Sequence, residues 1–240
     1  MDMTWMRMLF GQRCAGCGAS DRGHICMRCA RALAQLIGEP GELFRDEGVA
    51  GRMVRAGKSG NWRGAGAAFA RLAVAMGCGD DMFEADVITW IPADRRRRGA
   101  RGGHLPERFA RELSKLTGVP ARELLIRRDG RPQRGLDRAA RLANVANAFA
   151  PSACAEELND RRHVILVDDV RTTGATFDAA VRALIPYVES IGTLAIVGVA
   201  APGSPDGGVR GNAEDGRSVS GTVHHLPMRS GTVVERGTPV

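Results

Sequence analysis

Lysine is almost missing from this 240-residue chain, aromatic residues are few, and long apolar runs do not occur. Lys58 and Lys115 are the only lysines, so 32 of the 34 basic residues are arginine. Phe, Trp and Tyr together make up 5% of the chain, which leaves few platforms on which single-stranded nucleic acid could stack. No stretch approaches the roughly 20 consecutive apolar residues that a membrane-spanning helix needs. The opening residues, Met1 to Trp5, hold no basic region followed by an apolar core, so no secretory signal is expected. These absences argue against membrane integration and signal-directed export, and the expected location is cytoplasmic.

A chain with 44% hydrophobic and 25% charged residues reads as one soluble domain with a small attachment. It is long enough to bury a core without help from disulfides or metals. The formal charge is +7. Arginine alongside abundant Ala and Gly is also what GC-rich coding produces, so the distribution says more than the total. Between residues 91 and 141, fifteen Lys/Arg stand against six Asp/Glu, an excess larger than that of the whole chain. Such a window suits a phosphorylated small molecule or a nucleic-acid backbone, with a merely solvated arginine face as the plain alternative.

Four of the six cysteines form Cys14-x2-Cys17-x8-Cys26-x2-Cys29. Each C-x2-C pair can place two thiolates on one knuckle, and two knuckles complete a tetrahedral S4 shell for Zn²⁺. Gly16, Gly18 and Gly23 allow the tight backbone that knuckles require. A ribbon this short cannot bury enough apolar area alone, so the metal is expected to supply folding energy. Two disulfides are the competing arrangement, disfavoured in a reducing compartment. A thioredoxin-like redox site would need one such pair beside a βαβ unit. Cys78 and Cys154 lack partners at ligand spacing and read as packing or surface residues.

After the ribbon, Arg31 to Ile37 reads as a short helix stopped at Gly38-Glu39-Pro40-Gly41. Val49 to Met76 is helical in pattern, interrupted at Gly57 to Asn61. Apolar strands are expected at Ala85–Ile91, Glu123–Ile126, Val164–Val167 and Leu194–Val199. Between them, Leu105, Phe109, Leu113 and Leu116 form one helical stripe, with Pro106 tolerated in the first turn. Phe177, Val181, Leu184 and Val188 form another, which Pro186 should kink or end. Alternating β and α with continuous apolar strands implies an α/β fold, a parallel sheet with helices on both faces. The expected organisation is a zinc ribbon and short helix over 1–38, a linking helical segment over 39–61, and the main domain over 62–201. The Gly-rich polar tail over 202–240 is expected to be disordered.

The most informative segment is Val164-Ile-Leu-Val-Asp168-Asp169-Val170-Arg171-Thr172-Thr173-Gly174-Ala175-Thr176. A buried strand ends in two carboxylates, and a small-residue loop then opens a helix. Ligands of parallel sheets bind outside the carboxyl ends of the strands. A helix start offers outward N–H groups and a favourable dipole to an anion. A phosphate beside two acids implies a sugar phosphate. A bare helix cap would need only one acid. A receiver domain would need a later lysine, and no lysine follows Lys115. Gly57-Lys58-Ser59 lacks the upstream glycine of a P-loop.

An apolar strand, two acids and Thr-Thr-Gly-x-Thr resemble the signature of the type I phosphoribosyltransferases for 5-phosphoribosyl-1-pyrophosphate (PRPP). More narrowly, the chain resembles the ComF-type competence protein family, over about Cys14 to Ala200. That likeness rests on the cysteine ribbon, Lys58 before Gly60, Ile91-Pro92, Arg101-Gly102, Pro132-Gln133, Leu136 and Arg141-x2-Asn144-Val145-x2-Ala148-Phe149. The resemblance implies catalytic roles at Asp168 and Asp169, which would hold the ribose hydroxyls. It implies a 5′-phosphate loop formed by Arg171, Thr172, Thr173, Gly174, Ala175 and Thr176. Pro92, Ala93, Asp94 and Arg95 would meet pyrophosphate, with Mg²⁺ bridging it to the ribose, and residues 127–144 would form a lid. The family also implies an alternative role: a DNA-uptake factor binding single-stranded DNA or a partner protein through the ribbon and basic face. Two departures stand out. Gly103-His104-Leu105 replaces the family's Phe-Asn-Gln, leaving His104 as a general base or an ordinary helix-start residue. Arg171 occupies a usually apolar position, where it would reach a phosphate or point to solvent.

Overall fold

The computed structural model describes residues 12–21, 25–60, 62, 64–78, 84–93, 104–128, 148–158, 162–199 and 233–235. At the amino end, β1 (Gln12–Arg13) and β2 (Ser20–Asp21) pair antiparallel around the first cysteine knuckle. Helix α1 (Met27–Ala34) follows. It begins earlier than the apolar pattern alone suggests because Cys26 is its N-cap residue and Cys29 lies in its first turn. It also ends earlier: Ile37 leaves the helix and bridges Phe44.

The main sheet has strand order β3 (Glu42–Arg45), β8 (Ser190–Gly198), β7 (His163–Arg171) and β4 (Val87–Trp90), all parallel. Strand β3 lies inside the stretch expected to link ribbon and main domain, and it pairs with β8 through Glu42↔Ala195 and Phe44↔Val197. Every residue of β8 is buried, as a strand with neighbours on both sides and helices on both faces requires. Within the carboxyl-terminal tail, β9 (Val233–Glu235) pairs antiparallel with the first residues of β8. The rest of that tail lies outside the described residues.

Helices α2 (Gly48–Lys58), α3 (Ala65–Ala73, continued by a π-helical turn through Cys78) and α4 (Leu105–Thr117) cover one face. Their Met53, Phe69, Phe109 and Leu113 share a core with Ile88, Trp90, Val167 and Ile196 of the sheet. Leu116, last of the expected stripe, is 43% exposed, so the buried face of α4 ends one turn before the helix does. Gly66 of α3 stands so close to α4 that a Cβ there would meet the Arg108 backbone at 2.8 Å. The other face is covered by α6 (Ala175–Leu184) and by a separate antiparallel pair, β5 (Leu125–Arg127) and β6 (Phe149–Pro151). Here Phe177, Ala180, Leu184, Leu125 and Phe149 pack on Val87, Val164, Leu166 and Ile191. The short helix α5 (Ala153–Glu156) carries Cys154, half-buried against this core. Pro186 ends α6 in a 3-10 turn at Ile185–Tyr187. The fold is therefore α/β with a parallel sheet between two helical layers and a four-cysteine cluster at the amino end. No described helix is long and apolar enough to cross a membrane.

Candidate functional site

The first knuckle closes because the Gly18 amide donates to the Cys14 carbonyl at 2.7 Å, with Gly18 at φ 74°. The second is the first turn of α1, where Cys26 and Cys29 fall on one side. All four Sγ atoms lie within 4.8 Å of one another, and none of the four cysteines is in a disulfide. A tetrahedron with Zn–S bonds of about 2.3 Å has edges of about 3.8 Å. The Cys17–Cys26 Sγ separation of 3.7 Å matches that edge, so the soft four-sulfur set fits Zn²⁺.

The surroundings stabilise negative sulfur unequally. The Ala19 amide and then the Arg28 side chain pull the Cys17 thiol down to about 6. Burial raises Cys14, but the amides of Cys26, Cys17 and Gly16 outweigh it, and the net shift is downward. Cys29, buried and beside three other thiols, is pushed up to about 12. A bound cation would remove that last cost by compensating the fourth thiolate. The knuckle also docks on the main domain. Arg52 Nε of α2 donates to the Gly16 carbonyl at 2.8 Å, and a Cβ on Gly16 would collide with Val49.

The second constellation lies at the carboxyl ends of β4 and β7. Trp90 pairs with Val167, and the Ile91 amide donates to the Val167 carbonyl at 3.0 Å. This brings Pro92 and Ala93, both buried, beside the start of the twin-acid segment. Asp94 and Arg95 lie outside the described residues, as do residues 129–147 of the expected lid.

Successive strand residues project to opposite sides, so Asp168 and Asp169 leave β7 in different directions. Asp169 turns towards α2, where its Oδ1 meets Lys58 Nζ at 2.9 Å. Asp168, 9% exposed, accepts the Asp169 amide at Oδ1 over 2.8 Å. Burial, and then the Asp169 charge, push its carboxyl up to about 8. The Asp169 amide and the charges of Lys58 and Arg127 oppose that shift without cancelling it. The two acids are thus electrostatically linked but not side by side.

Beyond them the chain turns into α6 through exposed Thr172 and Thr173 and through Gly174 at φ 81°, a conformation that favours glycine. The Ala175 amide leans on Thr173 Oγ1 at 3.5 Å, and Thr176 lies in the first turn. First-turn amides have no intrahelical acceptor, so this loop presents donors at the carboxyl edge of the sheet.

Arg171 takes neither of its expected positions. Its Nη2 donates to Thr193 Oγ1 at 2.7 Å, and its guanidinium stacks 4.7 Å from the Phe177 ring centre. Its Nε stands 3.8 Å from Glu42 Oε1, with side chains 18% and 12% exposed. The Glu42 carboxylate fills the space where a side chain on Gly198 would be. Burial raises Glu42 and lowers Arg171, each favouring the neutral form that the pairing opposes. The arginine thus braces the loop from below, joining β3, β7, β8 and α6. His104 is the N-cap residue of α4 and makes no side-chain cap there. Glu42, Thr193 and Arg52 were not legible as site neighbours, since each works through a partner distant in sequence.

A groove of about 370 Å³ runs along α3 and α4, lined by Arg108, Arg111 and Lys115 among others, and none of the loop or acid residues faces it. Two of these cations are already paired, Arg111 with Glu107 at 3.0 Å and Lys115 with Glu112 at 2.7 Å.

No family model matches the chain, and no curated protein does. Among solved structures it is similar to the allosteric regulatory enzyme of purine biosynthesis, at 19% identity and a TM-score of 0.34, covering 60% of this chain and 26% of that one. It is also similar to a purine phosphoribosyltransferase from Pyrococcus horikoshii Ot3, at 16% identity and a TM-score of 0.33, covering 59% of this chain and 92% of the other.

Proposed function

We propose that this chain is a PRPP-binding phosphoribosyltransferase of the ComF type, transferring a phosphoribosyl group to an acceptor with release of pyrophosphate. The observation behind this reading is one continuous element: β7 ends in Asp168 and Asp169 at the carboxyl edge of a parallel sheet, and the Thr-Thr-Gly-Ala-Thr turn opens α6 immediately beyond. That order puts hydroxyl acceptors next to phosphate donors at the spacing of a ribose 5-phosphate.

In this reading the amides of Thr172 to Thr176 and the threonine hydroxyls hold the 5′-phosphate. The twin acids orient the ribose through its hydroxyls, Asp169 being the more accessible. As the C1–oxygen bond to pyrophosphate breaks, positive charge grows on the ring, and the nearby carboxylates favour it. The acceptor's lone pair then forms the new bond at C1. The oxygen donors present fit Mg²⁺, which is commonly held by one or two carboxylates together with substrate phosphates. When bound, that ion would take up part of the charge on the departing pyrophosphate. Pro92 to Arg95 and the arginines of the 91–141 window would meet the same anion, and the four-cysteine ribbon would hold structural zinc.

The alternative, a DNA-uptake factor working through ribbon and basic face, has less behind it. The knuckle backbone is engaged by α2, and Arg111 and Lys115 of α4 are matched by acids. A screen for pyrophosphate release from PRPP across bases, amines and ammonia tests the transferase reading. Release that depends on one acceptor class is expected. No release with any of them, from a protein that binds PRPP, would overturn catalysis.

A further inference from the structure

Lys58 is one of two lysines in a chain with 32 arginines, and it is the residue that meets the twin-acid segment. An ordinary explanation is at hand, since cations suit the last turn of a helix. Three observations go beyond it. The ammonium does not lie back on the carbonyls of α2 but reaches Asp169 Oδ1 at 2.9 Å. The end of α2 is fixed: a Cβ on Gly57 would stand 2.8 Å from Ala65 Cβ, and Arg108 Nη2 donates to the Gly57 carbonyl at 2.8 Å. The other half of the helix is held to the knuckle by Arg52 and Gly16. The lysine is therefore delivered to Asp169 by a clamped helix, while its side chain stays 40% exposed and able to swing.

The residue type fits an exchangeable role. An arginine would grip a carboxylate with a planar two-pronged fork, whereas an ammonium is a compact point charge on a flexible stem. We infer that Lys58 is a tethered cation of the site: it neutralises Asp169 when no divalent cation is there, releases it when one arrives, and then faces the phosphates of the bound donor. This inference rests on the PRPP reading only for the donor. The competition between Lys58 and a divalent cation for Asp169 stands on the ion pair alone.

The test uses the full-length protein, with Mn²⁺ alone and Mg²⁺–PRPP as probes. Titration calorimetry and Mn²⁺ paramagnetic resonance are run on wild type, Lys58→Ala, Lys58→Arg and Asp169→Asn. Lys58→Ala is expected to bind Mn²⁺ alone about fivefold more tightly, the factor that ~1 kcal/mol for a partly exposed pair corresponds to. The same variant is expected to bind Mg²⁺–PRPP more weakly, and Lys58→Arg to weaken Mn²⁺. A lysine that only stabilised the helix would not move the two affinities in opposite directions. Wild-type affinities for both probes in Lys58→Ala, with Asp169→Asn impaired, would overturn the inference and leave the PRPP reading intact. Absence of PRPP binding by wild type would overturn that reading instead, while the Mn²⁺ comparison would still decide whether Lys58 competes for Asp169.

Discussion

The two ends of helix α2 meet two differently built chemical sites. At its amino half is the cysteine knuckle, whose four donors come from sixteen consecutive residues and gather within 4.8 Å. At its carboxyl end is the acid pair of β7, whose neighbours arrive from α2, β4 and β5, with Glu42 of β3 bracing the loop beyond. A local site carries its chemistry in its spacing. A distributed one carries only its centre there, and the fold supplies the rest.

The largest expected effect comes from breaking the local site. Replacing Cys14 or Cys29 by Ser, or stripping the metal with a chelator, should release zinc and lower the melting temperature markedly. Structural zinc binding is worth on the order of 10 kcal/mol in small ribbons. Metal analysis with a thermal melt checks this. Unchanged melting after the zinc has left would show that the knuckle is held by packing on α2 alone.

The next effect probes the distributed site. Arg171→Met leaves the Glu42 carboxylate buried without its cation and should cost roughly 3 kcal/mol. Adding Glu42→Leu should recover most of that loss. Urea denaturation of the single and double variants measures it, and additive losses would mean that the two residues do not act as a pair.

A smaller, pH-dependent effect belongs to Asp168. Its carboxyl is raised from 3.8 to about 8 in the folded chain, so the fold prefers the protonated form. In the unfolded chain the acid ionises near 3.8, and stability is lost progressively as pH rises from there to about 8. Asp168→Asn keeps the oxygen that accepts the Asp169 amide and removes the ionisation. Its melting temperature should equal that of wild type near pH 4 and exceed it increasingly towards pH 8, by up to a few kcal/mol. A constant difference across that range would contradict the assigned burial.

Much of this architecture was readable from sequence where the signal was local. The apolar runs at Val87, Val164 and Leu194, the stripe from Leu105 to Leu113 and the stop at Pro186 all correspond to observed elements. The cysteine spacing foretold the cluster. Strand β3 was not readable, because Glu-Leu-Phe-Arg is four residues with charged ends, and pairing with β8 makes it a strand. The length of β7 was underestimated for a similar reason: Asp168 to Arg171 look like loop residues until the ladder to Gly198 holds them extended. Arg171 was open between two outward positions because nothing nearby in sequence reveals Glu42 or the space above Gly198. The divergence of the twin acids follows from strand alternation, once the strand is known to run through them.

The central claim, that this strand end and turn hold a phosphorylated pentose, meets its most direct test in one calorimetric comparison. Mg²⁺–PRPP is titrated into wild type and into Asp168→Asn/Asp169→Asn, each first shown by thermal melt to be folded. The account predicts saturable heat for wild type and a loss of at least about a hundredfold in affinity for the variant, the scale of two lost charge-assisted contacts. Equal binding by both proteins would contradict it.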